Sequence, residues 1–315
     1  MTNMKFAFLF PGQGSQAIAM MQGLAELTVV RDTFAEASAV LDQDLWTLVS
    51  EGPLEQLNLT INTQPVMLVA AVATYRAWLE QGGSVPTVMA GHSLGEYSAL
   101  VAAGALDFAA ALPLVKLRAQ AMQSAVAEGI GAMAAILGLD DAQVRAVCAE
   151  AAQAEVLEAV NFNAPGQVVI AGDKAAVERG MALAKEKGAK RALLLPVSVP
   201  SHCALMRPAA VQLALALADI EIRTPQVPVL HNADLLAYRQ PAQIRDALMR
   251  QLYSPVRWVE TIQKIANDGV TQAAECGPGK VLTSLTKRID ERIAVTALVS
   301  VAAIGEFKTL IDQER

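Results

Sequence analysis

Short apolar runs alternate along the chain with longer stretches of helical spacing. Residues 5–10, which contain FAFLF, predict a buried strand, and the glycine loop PGQGSQ follows it directly. Apolar positions three and four apart then predict helices at residues 17–27, 32–41 and 65–81, the last of them apolar almost all round. VPTVMAG predicts the next strand and LGEYSALVAAGAL the next helix. This order of strand, loop and helix is typical of an α/β fold with a parallel sheet.

A different rhythm begins at EGIGA, which follows a helix predicted at residues 112–126. GAMAAILGL predicts a strand, DDAQVRAVCAEAAQ a helix, EVLEAVNFN and QVVIAGD two strands, KAAVERGMALAKEKG a helix and AKRALLLPVS a strand. The order β-α-β-β-α-β is that of a ferredoxin-like unit. We therefore predict a small domain at residues 128–198, inserted into a large domain formed by residues 1–127 and 199–315.

The pattern after this insertion returns to that of the large domain. Residues 201–220 have helical spacing, and VPVLHNAD is strand-like. QIRDALMRQLYSPVRWVETIQKIANDG predicts two helices on either side of Pro255, and TQAAECGPG predicts a strand that runs into a glycine loop. The two halves of the large domain thus share one kind of layered fold.

Charge and cysteine usage narrow the classes of function. The 315 residues carry a formal net charge of -6, whereas a nucleic-acid-binding protein more often has a basic excess. Cys148, Cys203 and Cys276 have no paired or metal-type spacing, so free thiols in the cytoplasm are expected. FAFLF is too short for the apolar region of a signal peptide, so no signal peptide is expected. The longer apolar stretch YSALVAAGALDFAAALPLV is interrupted by Asp107 and Pro113, so no membrane span is expected.

The segment GHSLG matches the nucleophile elbow, a sharp turn between a strand and a helix that exposes a serine hydroxyl. Gly91 and Gly95 fit this pattern because side chains two places on either side of Ser93 would collide in so sharp a turn. The expected strand precedes the motif and the expected helix follows it. Ser93 is therefore a candidate nucleophile, and the alternative is a simple helix-capping serine.

A serine hydroxyl needs a base, and the chain has three histidines. His92 is adjacent to Ser93, where the turn directs it elsewhere, so a structural role is expected. His231 follows an apolar strand and is the weaker candidate. His202, in VSVPSHC, lies where a strand ends in a proline turn, and such loops place catalytic groups at the edge of a sheet. His202 is the preferred base.

The loop PGQGSQ allows two interpretations. Gly12, Gly14 and Ala17 spell G-x-G-x-x-A after a strand, with Asp32 near the position of a ribose-binding acid, so a dinucleotide site is the best alternative function. The same glycines also allow backbone N–H groups to approach an oxyanion closely. The dinucleotide interpretation leaves GHSLG and VPSH unexplained.

Arg118 stands out because its surroundings, ALPLVKLRAQAM, are so apolar. Its guanidinium could bind a substrate carboxylate in bidentate fashion. Spacing alone favours the alternative, in which the side chain extends along the helix to reach solvent.

The whole chain resembles the malonyl-CoA:acyl carrier protein transacylases of type II fatty acid synthesis. The resemblance depends on FPGQGSQ, GHSLGEYSAL, LVKLRAQAM, GAMAAILGL, NFNAPGQVVIAG, VPSHC, HNAD, LYSPVRW and ECGPGKVL in this order. It implies an α/β-hydrolase-like domain with a ferredoxin-like insertion. It also implies malonyl-CoA as substrate, an acyl carrier protein bearing phosphopantetheine as partner, and a monomer without a cofactor of its own.

The resemblance also assigns roles to individual residues. Ser93 would take the malonyl group as an ester, and His202 would act as its base, oriented by the backbone carbonyl of Gln251. The backbone N–H groups of Gln13 and Leu94 would form the oxyanion hole. Arg118 would pair with the free malonyl carboxylate, and Asn163 and Asn232 would line or brace the site.

Some alternatives remain open at this stage. Ser201, just before the histidine, occupies a position that helps to set the acyl group in related polyketide acyltransferases, so methylmalonyl is a second substrate to consider. The acyltransferase subunit of malonate decarboxylase shares the elbow, the arginine and the histidine. A serine esterase would share the Ser-His pair but would have no reason for Arg118.

Overall fold

Two β-sheets and the helices around them form the fold in the computed structural model, which describes residues 4–197 and 199–313. The strands are β1 (Phe6–Phe10), β2 (Val88–Gly91), β3 (Gly131–Leu137), β4 (Leu157–Ala164), β5 (Gln167–Asp173), β6 (Arg191–Leu194), β7 (Val229–Leu230), β8 (Gln272–Glu275) and β9 (Ala294–Ala297). The helices are α1 (Thr28–Leu41), α2 (Leu45–Ser50), α3 (Leu54–Leu57), α4 (Thr60–Glu80), α5 (Gly95–Ala102), α6 (Phe108–Ser124), α7 (Asp141–Ala152), α8 (Lys174–Glu186), α9 (Arg207–Ala218), α10 (Pro241–Gln251), α11 (Trp258–Asn267), α12 (Val281–Ile289) and α13 (Val301–Gln313).

The first sheet is parallel, with strand order β7-β2-β1-β8-β9. Its central strand β1 is buried at every position, which explains the unbroken apolar run FAFLF. Phe8 packs edge-to-face against Trp78 of α4, with ring centroids 5.4 Å apart, in the main core. Because β1 and β2 are parallel neighbours with Phe10 opposite Gly91, the loops that follow them emerge at the same edge.

The second sheet is antiparallel, with strand order β4-β5-β3-β6 and with α7 and α8 in its connections. The predicted β-α-β-β-α-β order of elements is confirmed. Asp140 begins α7 with a capping box, since its carboxylate accepts from the N–H of Gln143, and the Gln143 side chain accepts from the N–H of Asp140. The predicted domain boundary at Ser198 lies outside the described residues.

Most predicted helices are present, and the two helices around Pro255 are α10 and α11. The helix predicted at residues 17–27 is wrong, because the segment consists of turns and one 3-10 helix, Gln22–Leu24. The backbone of Gly23 packs so closely against the segment at Val299 that a Cβ on Gly23 would lie 2.2 Å from the carbonyl oxygen of Val299. This contact with a distant segment overrides the local helical spacing.

The strand predicted from VPVLHNAD is shorter than expected, because β7 contains only two residues and HNAD forms a loop. This loop places His231 and Asn232 behind the turn that follows β2. Within residues 4–197 and 199–313, no helix combines the length and apolarity needed to cross a membrane. Cys148, Cys203 and Cys276 are free thiols, as predicted, and all three are buried.

Candidate active site

Ser93 lies in the sharp turn between β2 and α5. Its φ is 52°, in the left-handed region that non-glycine residues rarely adopt. A Cβ on Gly91 would lie 1.9 Å from the carbonyl carbon of Gly95, and a Cβ on Gly95 would lie 2.0 Å from the carbonyl oxygen of Phe10. Both glycines are therefore required by close backbone packing, and the turn has the geometry expected of a nucleophile elbow.

The structure brings His202 to Ser93. The Ser93 Oγ lies 2.8 Å from His202 Nε2, and His202 Nδ1 lies 2.8 Å from the backbone carbonyl oxygen of Gln251. Since a carbonyl oxygen only accepts, Nδ1 carries the imidazole proton and Nε2 accepts from the Ser93 hydroxyl. His202 has a φ of 67°, and its backbone N–H donates to the carbonyl oxygen of Leu252. The end of α10 thus fixes both the tautomer and the position of the imidazole.

The imidazole of His202 is held in its neutral form. Its side chain is buried, and burial, together with the neighbouring Arg118 guanidinium, lowers the pKa of His202 to about 3. A neutral imidazole can accept a proton, whereas an imidazolium cannot. At neutral pH the His202 imidazole can therefore accept a proton.

A cavity of about 330 Å³ opens above this pair, and its lining includes Gln13 and Leu94. Within the described part of the chain, the backbone N–H groups of both residues donate to no protein acceptor. A Cβ on Gly12 would lie 2.4 Å from the carbonyl oxygen of His92, so the loop after β1 packs directly on the elbow. Two unpaired N–H groups beside a serine hydroxyl can stabilise an oxyanion.

Arg118 enters the same cavity from the middle of α6 and is 1% exposed, so the solvent-exposed conformation favoured by spacing is wrong. Its Nη1 donates to Gln64 Oε1 at 2.6 Å, and its Nη2 donates to Gln251 Oε1 at 3.0 Å and to Ser93 Oγ at 3.4 Å. Among the described residues it forms no salt bridge. A buried guanidinium held only by neutral groups is suited to bind a carboxylate.

The two predicted asparagines brace the site from behind. The Oδ1 of Asn232 accepts from the Ser93 N–H at 2.7 Å, and its Nδ2 donates to the carbonyl oxygen of Gly91 at 2.6 Å. Asn163 Oδ1 lies 2.8 Å from Nε2 of His92, which itself lines the cavity. Asn232 thus holds the elbow backbone, and Asn163 holds a neighbouring side chain.

Comparison with known proteins agrees with this geometry. Residues 7–306 match the acyl transferase domain family. The chain is 57% identical to the malonyl CoA-acyl carrier protein transacylase of Escherichia coli K12 over 96% of this chain and 98% of that protein. The acyl-carrier-protein S-malonyltransferase structure from Burkholderia pseudomallei 1710b is 57% identical, with a TM-score of 0.96 over 97% of this chain and 100% of that one.

A third relative has been solved with a partner. It is a malonyl-transacylase in complex with its type II polyketide acyl-carrier protein, 54% identical, with a TM-score of 0.96 over 97% of this chain and 99% of that one. The chain belongs to the acyl transferase family. The protein is an acyltransferase, and the resemblance drawn from the sequence motifs is confirmed.

Two earlier alternatives lose their support in this acyltransferase. His231, the weaker candidate base, has its Nδ1 2.6 Å from Glu96 Oε1 and is 1% exposed, with no hydrogen bond to Ser93 among the described contacts. Asp32, the candidate ribose-binding acid, lies exposed on α1. The glycine loop after β1 packs on the elbow and lines the same cavity through Gln13.

Three residues of the acyltransferase site were not predicted from the sequence. Gln64 contacts Arg118, Glu96 lies behind Ser93, and Asn161 lines the cavity with a buried Oδ1 that lacks a partner within the described residues. Gln64 belongs to the polar start of α4, TINTQ, and precedes the apolar run predicted at residues 65–81, so its residue type alone did not set it apart. Glu96 and Asn161 lie inside quoted motifs, but local spacing does not show which distant groups they meet.

Proposed function

We propose that this acyltransferase moves a malonyl group from malonyl-CoA to the phosphopantetheine thiol of an acyl carrier protein, through a malonyl ester on Ser93. One observation carries the proposal: the Ser93 hydroxyl lies 2.8 Å from a neutral imidazole and 3.4 Å from a buried guanidinium in one cavity. The first contact provides a nucleophile, and the second provides a site for a carboxylate at the far end of a short acyl group.

The first half-reaction loads the enzyme. His202 Nε2 takes the Ser93 proton as Oγ attacks the thioester carbonyl, and the oxyanion that forms accepts from the N–H groups of Gln13 and Leu94. Loss of one such donor typically costs about 3 kcal/mol of transition-state stabilisation. The carbon–sulfur bond then breaks, and the imidazolium returns its proton to the CoA thiolate. Gln251 stabilises the imidazolium through its backbone carbonyl, so the site works as a Ser-His dyad.

The second half-reaction discharges the malonyl ester onto the carrier. His202 takes the proton of the phosphopantetheine thiol, the thiolate attacks the ester carbonyl, and the Ser93 alkoxide leaves with the proton of the imidazolium. The two substrates react in turn at one serine, which gives ping-pong kinetics. The product, malonyl-carrier, would supply fatty acid elongation. The relatives named for this transfer, and the one solved with an acyl-carrier protein, support the assignment.

Arg118 accounts for the choice of acyl group. A malonyl carboxylate would pair with the buried guanidinium, while the methyl of an acetyl group would leave this cation without a partner. Methylmalonyl carries the same carboxylate, so Arg118 separates dicarboxylic from monocarboxylic acyl groups. Malonyl is the favoured substrate because the relatives are named for it.

The finer architecture and setting belong to the same proposal. The parallel sheet would be the core of an α/β-hydrolase-like catalytic domain, and residues 128–198 would form a ferredoxin-like insertion. The mechanism requires no resident cofactor, since CoA is a substrate and phosphopantetheine arrives on the carrier. A cytoplasmic monomer is the expected form, in keeping with three buried free thiols.

The test is the intact mass of the protein after mixing with malonyl-CoA, beside Ser93→Ala. We expect a gain of one malonyl group that is absent from the variant and is discharged by added carrier protein. CoA release without a lasting adduct would indicate a hydrolase instead. No adduct and no CoA release would refute the proposal.

A further inference from the structure

A fully buried carboxylate, Glu96, lies behind the catalytic pair on the first turn of α5. Its Oε1 lies 2.6 Å from His231 Nδ1. Its Oε2 accepts from the backbone N–H of Asn232 at 2.9 Å and from Nε2 of Gln251 at 2.9 Å. These partners belong to the loop after β7 and to the end of α10, so one carboxylate joins three parts of the chain that are distant in sequence.

The first branch of this network leads to the nucleophile. Glu96 fixes the backbone of Asn232, and the Asn232 side chain then accepts from the Ser93 N–H at 2.7 Å. The same side chain donates to the carbonyl oxygen of Gly91 at 2.6 Å. The elbow has a left-handed serine at its centre and needs such support, because a strained backbone persists only where its surroundings hold it.

The second branch leads to Arg118 through the side chain of Gln251. The Gln251 Nε2 donates to Glu96 Oε2 and to the Ser93 carbonyl oxygen, both at 2.9 Å, while its Oε1 accepts from Arg118 Nη2 at 3.0 Å. The reverse orientation of the amide would set its N–H groups against the guanidinium. The amide therefore connects a buried anion to a buried cation in one orientation only.

We infer that Glu96 is a positioning residue, which holds the Ser93 elbow through Asn232 and aims Arg118 through the side-chain amide of Gln251. The inference rests on the proposed function, because it assigns Glu96 to the support of a malonyl-loading site. Glu96 touches neither reacting atom. Its effect on the reaction is indirect, since its hydrogen bonds run to Asn232 and Gln251.

A matched control exists in the same chain. Glu275 is also fully buried, and it accepts three hydrogen bonds, from the N–H groups of Leu282 and Thr283 and from Thr283 Oγ1. These contacts cap the start of α12 and do not reach the catalytic pair. Glu96→Gln and Glu275→Gln both remove a buried carboxylate, but only the first removes one that is connected to Ser93 and Arg118.

The experiment measures single-turnover loading of Ser93 at saturating malonyl-CoA by rapid-quench mass spectrometry. Reaction with phenylmethylsulfonyl fluoride, a neutral serine reagent, is measured alongside. We expect Glu96→Gln to slow malonyl loading about 100-fold, since misplacement of about 1 Å costs that much. About tenfold of this loss should be specific to malonyl, because Arg118 also loses its orientation, so the sulfonyl fluoride reaction should slow only about tenfold. Glu275→Gln should load at the wild-type rate.

A double-mutant comparison isolates the second branch. In the Gln251→Met background, Glu96→Gln should change the ratio of malonyl loading to sulfonylation no further, because the connecting amide is already gone. The inference is overturned if folded Glu96→Gln loads malonyl at the wild-type rate, if Glu275→Gln loses as much activity, or if the two ratio effects are additive. If wild-type Ser93 takes up no malonyl at all, the proposed function fails instead.

Discussion

The two sides of the cavity hold their functional groups by different means. On the reaction side, Ser93 and the N–H groups of Gln13 and Leu94 belong to tight turns at the ends of neighbouring parallel strands. On the recognition side, Arg118 reaches in from the middle of a helix and is held by the amide side chains of Gln64 and Gln251. Backbone turns thus position the groups of the proposed chemistry, whereas side chains from separate helices position the group proposed to select the acyl chain.

This contrast has a measurable consequence. A change on the reaction side should slow transfer of every acyl group by the same factor, because the oxyanion and the nucleophile are common to all of these reactions. A change on the recognition side should slow malonyl more than acetyl, because only malonyl carries a carboxylate. Gln251 belongs to both sides, since its carbonyl binds His202 and its amide binds Arg118.

The largest effect is expected from His202→Ala on the reaction side. Loss of the base should slow loading of Ser93 about 10²- to 10⁴-fold, by the same factor for malonyl-CoA and acetyl-CoA. Rapid-quench mass spectrometry gives both rates. Added imidazole should restore part of the activity if the cavity admits it as a replacement base. A loss confined to malonyl would place His202 on the recognition side and contradict this division of the cavity.

Arg118→Ala should give the next largest effect, and a selective one. Removing a buried charge that pairs with the substrate costs about 10²- to 10³-fold. We expect a loss of this size for malonyl transfer and a much smaller loss for acetyl transfer, each measured as kcat/KM. Arg118→Lys, which keeps the charge but loses bidentate geometry, should fall between the wild type and Arg118→Ala. Equal losses for the two acyl groups would refute the carboxylate clamp.

The pH profile tests how the two sides are coupled. In the proposed mechanism neutral His202 is the active form. Burial and Arg118 lower its pKa to about 3, so kcat/KM should stay level as pH falls from 8 to 5. A histidine of ordinary pKa, about 6.5, would lose roughly 30-fold at pH 5. In Arg118→Ala, measured with acetyl-CoA, the acid limb should move to higher pH because a lowering charge is gone. An acid limb near pH 6.5 in the wild type would contradict this account.

Sequence and structure agree most closely on the reaction side, for a physical reason. The elbow depends on Gly91 and Gly95 being two residues from Ser93, and such a local requirement is visible in five letters of sequence. With three histidines in the chain, elimination then reached His202. The β-α-β-β-α-β order could also be predicted from the sequence, because strands and helices have different hydrophobic periods.

The recognition side was harder to predict because its contacts are long-range. Arg118 meets Gln64, 54 residues away, and Gln251, 133 residues away, and spacing within α6 alone suggested an exposed side chain. The burial of Arg118 follows from how α6 packs on α4, which the local pattern does not encode. The wrong helix at residues 17–27 has a similar cause, since the close approach of Gly23 to Val299 decides that segment.

The smallest predicted effect belongs to Gln64, and it probes the recognition side without touching Ser93. Gln64 Oε1 accepts from Arg118 Nη1 at 2.6 Å, so Gln64→Leu removes one of the neutral groups that aim the guanidinium. A hydrogen bond to a charged group is worth about 1.5 kcal/mol, which corresponds to about a tenfold loss of malonyl loading. The sulfonyl fluoride reaction at Ser93 should remain at the wild-type rate.

Thr63→Val is the matched control for this change. Thr63 is the preceding residue on α4, is buried, and donates through Oγ1 to the carbonyl oxygen of Leu57 at 2.6 Å. Among the described hydrogen bonds it has none to Arg118. Both variants remove a buried polar group from the same turn, so a general loosening of α4 would slow malonyl loading in both. A tenfold loss of malonyl loading in Gln64→Leu but not in Thr63→Val would show that selectivity depends on the orientation of the Arg118 guanidinium. If malonyl loading is the same in the two variants, the charge of Arg118, and not its orientation by Gln64, would be the sole basis of carboxylate recognition.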